Sequence, residues 1–343
     1  MGRPPNRRRM AALAVALACT TTGAACGAGH SSPKAAVGRA GRPAPTEPGT
    51  ADSSVTAPPV TAQTPPTPPT ATGGPAAAVV SPSGIVLPVV SAMADGWVVR
   101  TPCNATATLR RGTPVGAPVV ILDPGHGGAE TGAVSPGGLS ESVVNLAVAR
   151  QAQAALEADG VPTVLTRTGD YELSLPTRSE IARDLNPRAF VSIHHNADPD
   201  GPRAGPGSET YYQIGSPDSK RLAGLIYEEV VKALSQYKVA WVADRDAGAK
   251  YRRGTSGGDY YAVLRQPGKV VSALAELAFI SDPPEADLLA RADVQRVEGQ
   301  AVARGIVRYL STADPGSGFT EPYPRVDPPV VPGPPRVCRD PAL

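Results

Sequence analysis

Histidines and acidic residues occur in short motifs whose side chains suit metal binding. His126 lies in the glycine-rich stretch DPGHGG, and His194 and His195 are adjacent. Glu141 follows the first motif, and Glu276 ends an apolar run further along the chain. Two imidazoles and a carboxylate, with one position left for water, are the usual ligands of a catalytic zinc ion. These residues therefore predict a catalytic zinc site.

The adjacent histidines leave one choice open. Neighbouring residues on an extended strand point to opposite faces, so one metal ion should take only one of them. The residues alone do not decide between His194 and His195. The glycines beside His126 lack the lysine and the spacing of a phosphate-binding loop, so the sequence does not favour a nucleotide site.

Strands that alternate with helices would position these residues. Short apolar runs predict strands at 119–123, 161–167, 189–193, 208–214 and 270–277. Amphipathic patterns predict helices at 140–160, 175–185, 216–236 and 294–310. This order predicts an α/β fold with a mostly parallel central sheet flanked by helices. Active sites of such sheets lie at the carboxyl ends of strands, which is where His126, His194 and Glu276 fall.

Proline content and charge separate a folded middle from two flanks. Only 13 of the 39 prolines lie between residues 118 and 311, which we interpret as a single catalytic domain. We expect a disordered Pro/Thr/Ala-rich linker at 27–77, a short β-rich lead-in at 78–117 and a Pro-rich tail at 312–343. Residues 1–117 carry seven excess positive charges, whereas the middle carries four excess negative ones. A nucleic-acid partner is therefore not expected, because it needs a basic face on the fold itself.

The N-terminus has the pattern of a secretory signal peptide. Arg7, Arg8 and Arg9 precede an apolar run at 10–19, and small residues continue to Cys26. The run is too short to span a membrane. Residues 1–26 thus predict export to the periplasm or cell wall. A lipid anchor at Cys26, on the outer face of the cytoplasmic membrane, and free secretion both stay open, because Gly23 stands where a lipidation site would have leucine.

Two cysteines flank the predicted catalytic domain. Cys19 and Cys26 belong to the signal region, which leaves Cys103 and Cys338 in the mature chain. In an oxidising compartment such a pair predicts a disulfide. The alternative is two unrelated free thiols.

Several stretches of the middle region resemble motifs of the zinc-dependent N-acetylmuramoyl-L-alanine amidases. They are VVILDPGHGG from residue 119, GLSE at 138–141 with VNL at 144–146, residues 164–167 and 175–178, VSIH at 191–194, and AELAFIS at 275–281. They follow the family's order from about residue 118 to 310. The resemblance implies a hydrolase that cleaves the amide between N-acetylmuramic acid and L-alanine of peptidoglycan, in cell-wall remodelling or daughter-cell separation.

The resemblance also implies roles for individual residues. One zinc ion per chain would be held by His126, Glu141 and His194, and Glu276 would be the catalytic acid and base. Asp123 would either orient a ligand imidazole or support the turn. We expect a monomer.

The chain departs from the resembled motifs in three places. His195 stands where the family has a small residue, and it would either contact substrate or face the opposite side of the sheet. Ala278 replaces a glycine. The segment 237–266 matches only loosely, and Arg252 and Arg253 are candidates to meet an acidic stem peptide, unless this segment is a solvated loop. Asn196 is a further candidate for substrate binding.

Two other functions stay open. One is a non-catalytic wall-binding or regulatory homologue. The other is a different zinc peptidase that acts on peptidoglycan stem peptides. We find no separate wall-binding repeat in the sequence.

Overall fold

The computed structural model describes residues 76–325 and 337–343. All of them belong to one unit, residues Ala62–Leu343. The predicted signal peptide, Cys26 and the linker up to residue 75 lie outside the described residues. Within the described part of the chain, no helix combines the length and the apolar character needed to cross a membrane.

The described chain begins with a small antiparallel sheet. Its strands are β1 (Ala78–Val80), β2 (Val86–Met93), β3 (Gly96–Arg100), β4 (Thr106–Leu109) and β5 (Thr113–Pro114). They are arranged in the order β4-β3-β2-β1-β5. Val79, Leu87 and Val99 form its own core. Ala78 and Val86 pack into the core of the larger domain, so the lead-in is attached to that domain through apolar contacts.

Strands and helices alternate through the rest of the chain. They are β6 (Val120–Pro124), α1 (Glu141–Ala158), β7 (Thr163–Leu165), α2 (Leu175–Leu185), β8 (Ala189–Asn196), β9 (Gly201–Arg203), β10 (Glu209–Tyr212), α3 (Pro217–Leu234), β11 (Trp241–Ala243), β12 (Ala249–Lys250), α4 (Ala262–Arg265), β13 (Ser272–Phe279), α5 (Pro283–Leu289) and α6 (Ala292–Ser311). The main sheet has the order β12-β10-β13-β8-β6-β7, while β9 and β11 form a separate pair.

The predicted α/β fold with a mostly parallel sheet is confirmed. Every pair of neighbouring strands in the main sheet is parallel except β10 and β13. One face packs against α1, α3 and α6 in a core that includes Val120, Val191 and Ala273. The other packs against α2, α4 and the lead-in around Ile121 and Phe190. The strands read as continuous apolar runs because both faces are buried.

The predicted ends of the helices and strands agree with the structure for some elements and differ for others. Helix α2 has the predicted bounds: the Ser174 hydroxyl accepts from the Thr177 backbone, and Asn186 ends the helix in a left-handed conformation. Strand β8 is longer than predicted and runs to Asn196, so both histidines lie within it. Glu276 likewise lies inside β13. Helix α5 was not predicted; it begins at a proline pair that Asp282 caps.

The C-terminal tail lies against the folded domain. Phe319 forms a β-bridge with Ala249 of β12, and its ring packs close to Gly224 of α3. Further along, the Cys103 backbone N–H donates to Asp340 at 2.8 Å. The sulfur atoms of Cys103 and Cys338 lie within bonding distance, and their Cα atoms are 5.6 Å apart. This separation suits a disulfide.

Candidate metal centre

Three side chains converge where β6 and β8 lie side by side. His126 follows β6 in the glycine-rich turn, Glu141 is the first residue of α1, and His194 lies on β8. One ligand atom from each residue lies within 4.8 Å of the other two. The structure thus brings together the three metal ligands implied by the resemblance.

The Glu141 carboxylate lies between the two imidazoles. Its Oε2 is 3.2 Å from His126 Nε2, and its Oε1 is 2.9 Å from His194 Nδ1. The imidazole rings meet edge to face at a centroid distance of 4.9 Å. Gly125 and Gly132 permit this approach, because a Cβ atom on Gly125 would overlap the His194 ring and one on Gly132 would overlap the Glu141 carboxylate.

The charges at this position favour a bound cation. Burial alone would raise the pKa of Glu141, but hydrogen bonds with His126 and His194 lower it. Burial works against the charged form of His126, yet the carboxylates of Glu130 and Glu141 raise its pKa to about 9. For His194, burial outweighs Glu141 and lowers the pKa. A carboxylate that holds a proton on a neighbouring imidazole is equally suited to a metal cation.

The donor set fits zinc. Two imidazoles and one carboxylate are a common protein contribution to a catalytic zinc site. Within the described residues, the buried Nδ1 atom of His126 has no hydrogen-bond partner of suitable geometry, although Glu130 Oε1 lies 3.3 Å away. This nitrogen lies on the Glu130 side of the ring, whereas Nε2 of the same ring meets Glu141.

Two buried arginines hold the turn that carries His126. Arg167 donates to the backbone carbonyls of Pro124 and Gly125 at 2.9 and 2.8 Å. Arg178 donates to the carbonyls of Pro124 and His126 at 2.7 and 2.6 Å. These bonds support a turn in which His126 adopts a φ of 60°, a strained value for a residue other than glycine.

Asp123 supports the turn through Arg178. Its carboxylate accepts from Arg178, Thr166 and Ser192 at 2.6, 2.5 and 2.7 Å. Burial works to raise the pKa of Asp123, but the Arg178 charge and these hydrogen bonds hold it below its usual value. The described contacts thus favour the structural role of Asp123 over the orientation of a ligand imidazole.

His195 faces the side of the sheet opposite to His194. It is buried, and its Nδ1 lies 2.7 Å from Asn145 Oδ1 of α1. Its Nε2 lies 3.5 Å from Glu298 Oε2 of α6. Of the two positions expected for His195, the structure has the opposite-face one, where the side chain is buried under α1 and α6.

Glu276 lies beside the three converging residues. It pairs in register with His194 of β8 and, on its other side, with Glu209 of β10. Burial, together with the Glu141 and Glu209 carboxylates, raises the pKa of Glu276 well above its usual value. Its Oε2 atom is buried and has no hydrogen-bond partner in the described structure. A carboxyl group with a raised pKa beside a metal site is suited to proton transfer.

The candidates for substrate binding lie on the β10–β12 side of the sheet. Asn196 donates to Glu209 at 3.2 Å. Arg252 and Arg253 line a cavity of about 560 Å³ together with tyrosines and the tail residues Pro322–Arg325. The Arg252 guanidinium lies 3.8 Å from the centre of the Tyr260 ring, and Arg253 donates to the Gly257 carbonyl. The cavity is separate from the three converging ligands, and Glu209 lies between the two regions.

Sequence reasoning missed several residues around the site. Glu130 lies beside His126 within the turn after β6. Asn145 lies four positions after Glu141 in α1, a spacing that places both side chains on one helix face. That spacing was the available signal for Asn145. Nothing local pointed to Glu298, which is distant in the sequence.

Comparison with known proteins identifies similar chains. A family model described as N-acetylmuramoyl-L-alanine amidase matches residues 120–308. AmiC of Neisseria meningitidis, named as an N-acetylmuramoyl-L-alanine amidase, is 30% identical over 240 residues, which cover 61% of this chain and 57% of AmiC. The uncharacterized protein YqiI of Bacillus subtilis is 32% identical over 219 residues, which cover 62% of this chain and 97% of YqiI.

A solved structure is also similar. The N-acetylmuramoyl-L-alanine amidase AmiC2 of Nostoc punctiforme is 34% identical and superposes with a TM-score of 0.47, covering 56% of this chain and 96% of AmiC2. The chain spans little more than half the length of AmiC from Neisseria meningitidis.

Proposed function

The chain belongs to the N-acetylmuramoyl-L-alanine amidase family, and from this premise we propose that it hydrolyses the amide between N-acetylmuramic acid and L-alanine of peptidoglycan. One observation carries the proposal. His126, Glu141 and His194 converge beside Glu276, which is in register with His194 on the next strand. Three metal ligands and one carboxyl group for proton transfer are the minimum for zinc-assisted amide hydrolysis.

His126, Glu141 and His194 would hold one zinc ion per chain. Zinc, when bound, acts as a Lewis acid that polarises the amide carbonyl and makes water easier to deprotonate. Glu276 takes the proton from the attacking water and returns it to the leaving nitrogen of L-alanine. The raised pKa of Glu276 suits the first step, because a group that binds its proton more tightly is a stronger base.

The turn after β6 keeps this geometry rigid. Arg167 and Arg178 bind its carbonyl groups, and Asp123 fixes Arg178 in turn. His126 therefore meets Glu141 without a large loss of side-chain or backbone freedom when metal binds.

The cavity beside Arg252 and Arg253 would receive the stem peptide. Guanidinium groups pair well with carboxylates, and stem peptides are acidic. Asn196, which lies two residues after His194 on β8 and donates to Glu209, would contact the substrate near the cleaved bond. We expect the enzyme to act as a monomer.

The proposal extends to location. Residues 1–26 would direct export to the periplasm or cell wall, where the relatives' substrate, peptidoglycan, is found. Cys26 would either carry a lipid on the outer face of the cytoplasmic membrane or be removed with the signal. Mass spectrometry of the mature N-terminus distinguishes these two outcomes.

Digestion of purified peptidoglycan tests the activity. The expected products are glycan chains with free muramyl carboxyl groups and intact stem peptides, identified by mass spectrometry. Release of D-alanine alone would instead indicate a carboxypeptidase, and no change would indicate a wall-binding homologue. The Glu276→Gln variant is the matched control, because it retains the shape of the site but cannot accept the water proton.

A further inference from the structure

A series of buried polar contacts connects helix α6 to the candidate metal centre. It starts at Glu298 of α6, passes through His195 of β8 and Asn145 of α1, and ends at Glu141. These side chains lie on the face of the sheet opposite to His194 or at its boundary, and His195 and Glu298 are fully buried. The proposed hydrolysis uses none of them directly except Glu141.

Asn145 connects this series of contacts to the proposed metal ligand Glu141. Its Nδ2 donates to Glu141 Oε1 at 3.2 Å and to the Gly125 carbonyl at 3.3 Å. Both partners are acceptors, so the amide nitrogen must face them and Oδ1 must face His195. The His195 Nδ1 therefore carries a proton and donates it to Oδ1 at 2.7 Å. The His195 backbone N–H adds a second bond to Glu141 Oε1 at 3.2 Å.

Glu298 meets the other ring nitrogen of His195. Oε2 of Glu298 lies 3.5 Å from Nε2, and in the described residues neither carboxylate oxygen has a hydrogen-bond partner. The Nε2 atom of His195 likewise has no hydrogen-bond partner in this part of the chain, so the two buried groups face each other. A buried carboxyl group without any partner would be costly, which makes this contact the natural pairing of both groups.

The packing of α6 on α1 puts Glu298 within reach of β8. The next residue, Gly299, lies so close to α1 that a Cβ atom would overlap the Val148 carbonyl and the Gln151 side chain. This close crossing holds Glu298 at a fixed depth beneath the sheet. The carboxyl group is therefore placed by a helix–helix contact rather than by a flexible loop.

We propose that Glu298, His195 and Asn145 are positioning residues that hold the Glu141 carboxylate in the orientation needed to bind the metal ion. His195 fixes the Asn145 amide, and that amide then holds Oε1 of Glu141. Glu298 in turn holds the His195 ring. Residues that orient a metal ligand in this way typically contribute about 10- to 100-fold to metal affinity. This inference rests on the proposed metal site.

Zinc affinity of the mature full-length protein tests the proposal, measured by competition with a coloured chelator. His195→Ala and Asn145→Ala should each weaken zinc binding by about 10-fold or more, while still reaching one zinc per chain at saturation. The double variant should bind zinc no more weakly than Asn145→Ala alone, because His195 acts through Asn145. Val302→Ala, which shortens a buried apolar side chain of the same helix α6, is the control for packing loss.

Two substitutions of Glu298, which lies on α6, test the same series of contacts without changing a residue of β8. In Glu298→Gln the side-chain amide can still pair with His195 Nε2. Zinc affinity should therefore stay within about threefold of that of the unchanged protein, which is a smaller loss than removal of a positioning residue causes. In Glu298→Leu the partner is lost, and zinc affinity should fall as in His195→Ala. The imidazole nitrogen shifts in NMR spectra of the metal-free protein should show that Nδ1 of His195 carries a proton, and Asn145→Ala should disturb these shifts.

Three results would overturn the positioning role. They are unchanged zinc affinity in both His195→Ala and Glu298→Leu, additive losses in the double variant, or an equal loss in Val302→Ala. His126→Ala separates this failure from that of the metal site. If His126→Ala removes zinc while His195→Ala does not weaken it, only the positioning role fails. If His126→Ala leaves zinc affinity unchanged, the proposed metal site itself is wrong.

Discussion

Among the described residues, two groups of three side chains have the spacing of a metal site, yet they differ in charge. One is His126, Glu141 and His194, and the other is the acidic cluster, which we define as Glu209, Asp244 and Asp246. In both groups the possible ligand atoms lie within 4.8 Å of one another. The first has a single carboxylate and two imidazoles, whereas the acidic cluster has three carboxylates.

The protein itself supplies two cations to the acidic cluster. Lys250 Nζ lies 2.7 Å from Glu209 and 2.6 Å from Asp246, and all three side chains are buried. Arg325 from the tail pairs with Asp244 and, at 3.1 Å, with Asp246. Burial works to raise the pKa of Asp246, but the bond from Lys250 lowers it overall. Short distances between possible ligand atoms are therefore not enough to define a metal site, because the Lys250 and Arg325 cations already pair with the acidic cluster.

The largest expected difference between the two groups is in zinc content. His126→Ala and His194→Ala should each lose most of the zinc and the activity, because two remaining ligands hold the ion poorly. Asp246→Asn should keep about one zinc per chain. Elemental analysis of the purified proteins measures this. Zinc loss in Asp246→Asn, with retention in His194→Ala, would exchange the roles that we assign to the two groups.

Glu276 and Glu209, which face each other across β13 and β10, should differ in their effect on the rate of hydrolysis. Glu276→Gln should keep about one zinc per chain but lower the rate of amide hydrolysis by roughly 10²-fold or more, since the amide cannot accept a proton. Glu209→Gln should cause a smaller decrease, because Glu209 belongs to the acidic cluster and is paired with Lys250. Initial rates on soluble muropeptides measure both. Near-normal turnover in Glu276→Gln would mean that another group is the base.

Removal of the buried lysine should affect stability more than metal binding. Lys250→Met leaves the acidic cluster without its main cation, and loss of one partner of a buried ion pair costs about 3–5 kcal/mol. Urea unfolding should therefore show a strongly lowered free energy of unfolding, with zinc affinity unchanged once the protein is folded. Lys232→Met changes an exposed lysine of α3 and is the control for the loss of a lysine charge. Equal stability of the two variants would show that Lys250 does not balance the cluster.

The tail that supplies Arg325 also contains Cys338, which gives the smallest expected effect. Cys338→Ser would release this end of the chain and should lower the free energy of unfolding by about 2–4 kcal/mol. The denatured, unreduced mature protein, carrying Cys26→Ser, should contain no free thiol. A count of two thiols would exclude the bond between Cys103 and Cys338.

Much of the fold and of the candidate metal centre follows from short stretches of sequence. Apolar runs of strand length and amphipathic helices indicated the α/β alternation, and the predicted bounds of α2 agree with its observed capping residues. His126, Glu141 and His194 each lie at or beside the end of such an element. Because parallel strands bring their carboxyl ends to one edge, local signals grouped His126 with the adjacent histidines. The choice of His194 over His195 came from the family resemblance.

The balance of charge around these residues was decided by the tertiary structure alone. Glu298 reaches His195 only because α6 crosses α1 closely, and Arg325 reaches Asp246 only because the tail lies against β12. These partners are 103 and 79 positions apart in the chain, so no periodicity or motif links them. Sequence by itself determined which side chains offer ligands, through patterns that extend over a few residues. Folding determined which of them also pair with lysine and arginine cations, because burial and pairing of charge depend on contacts between distant segments.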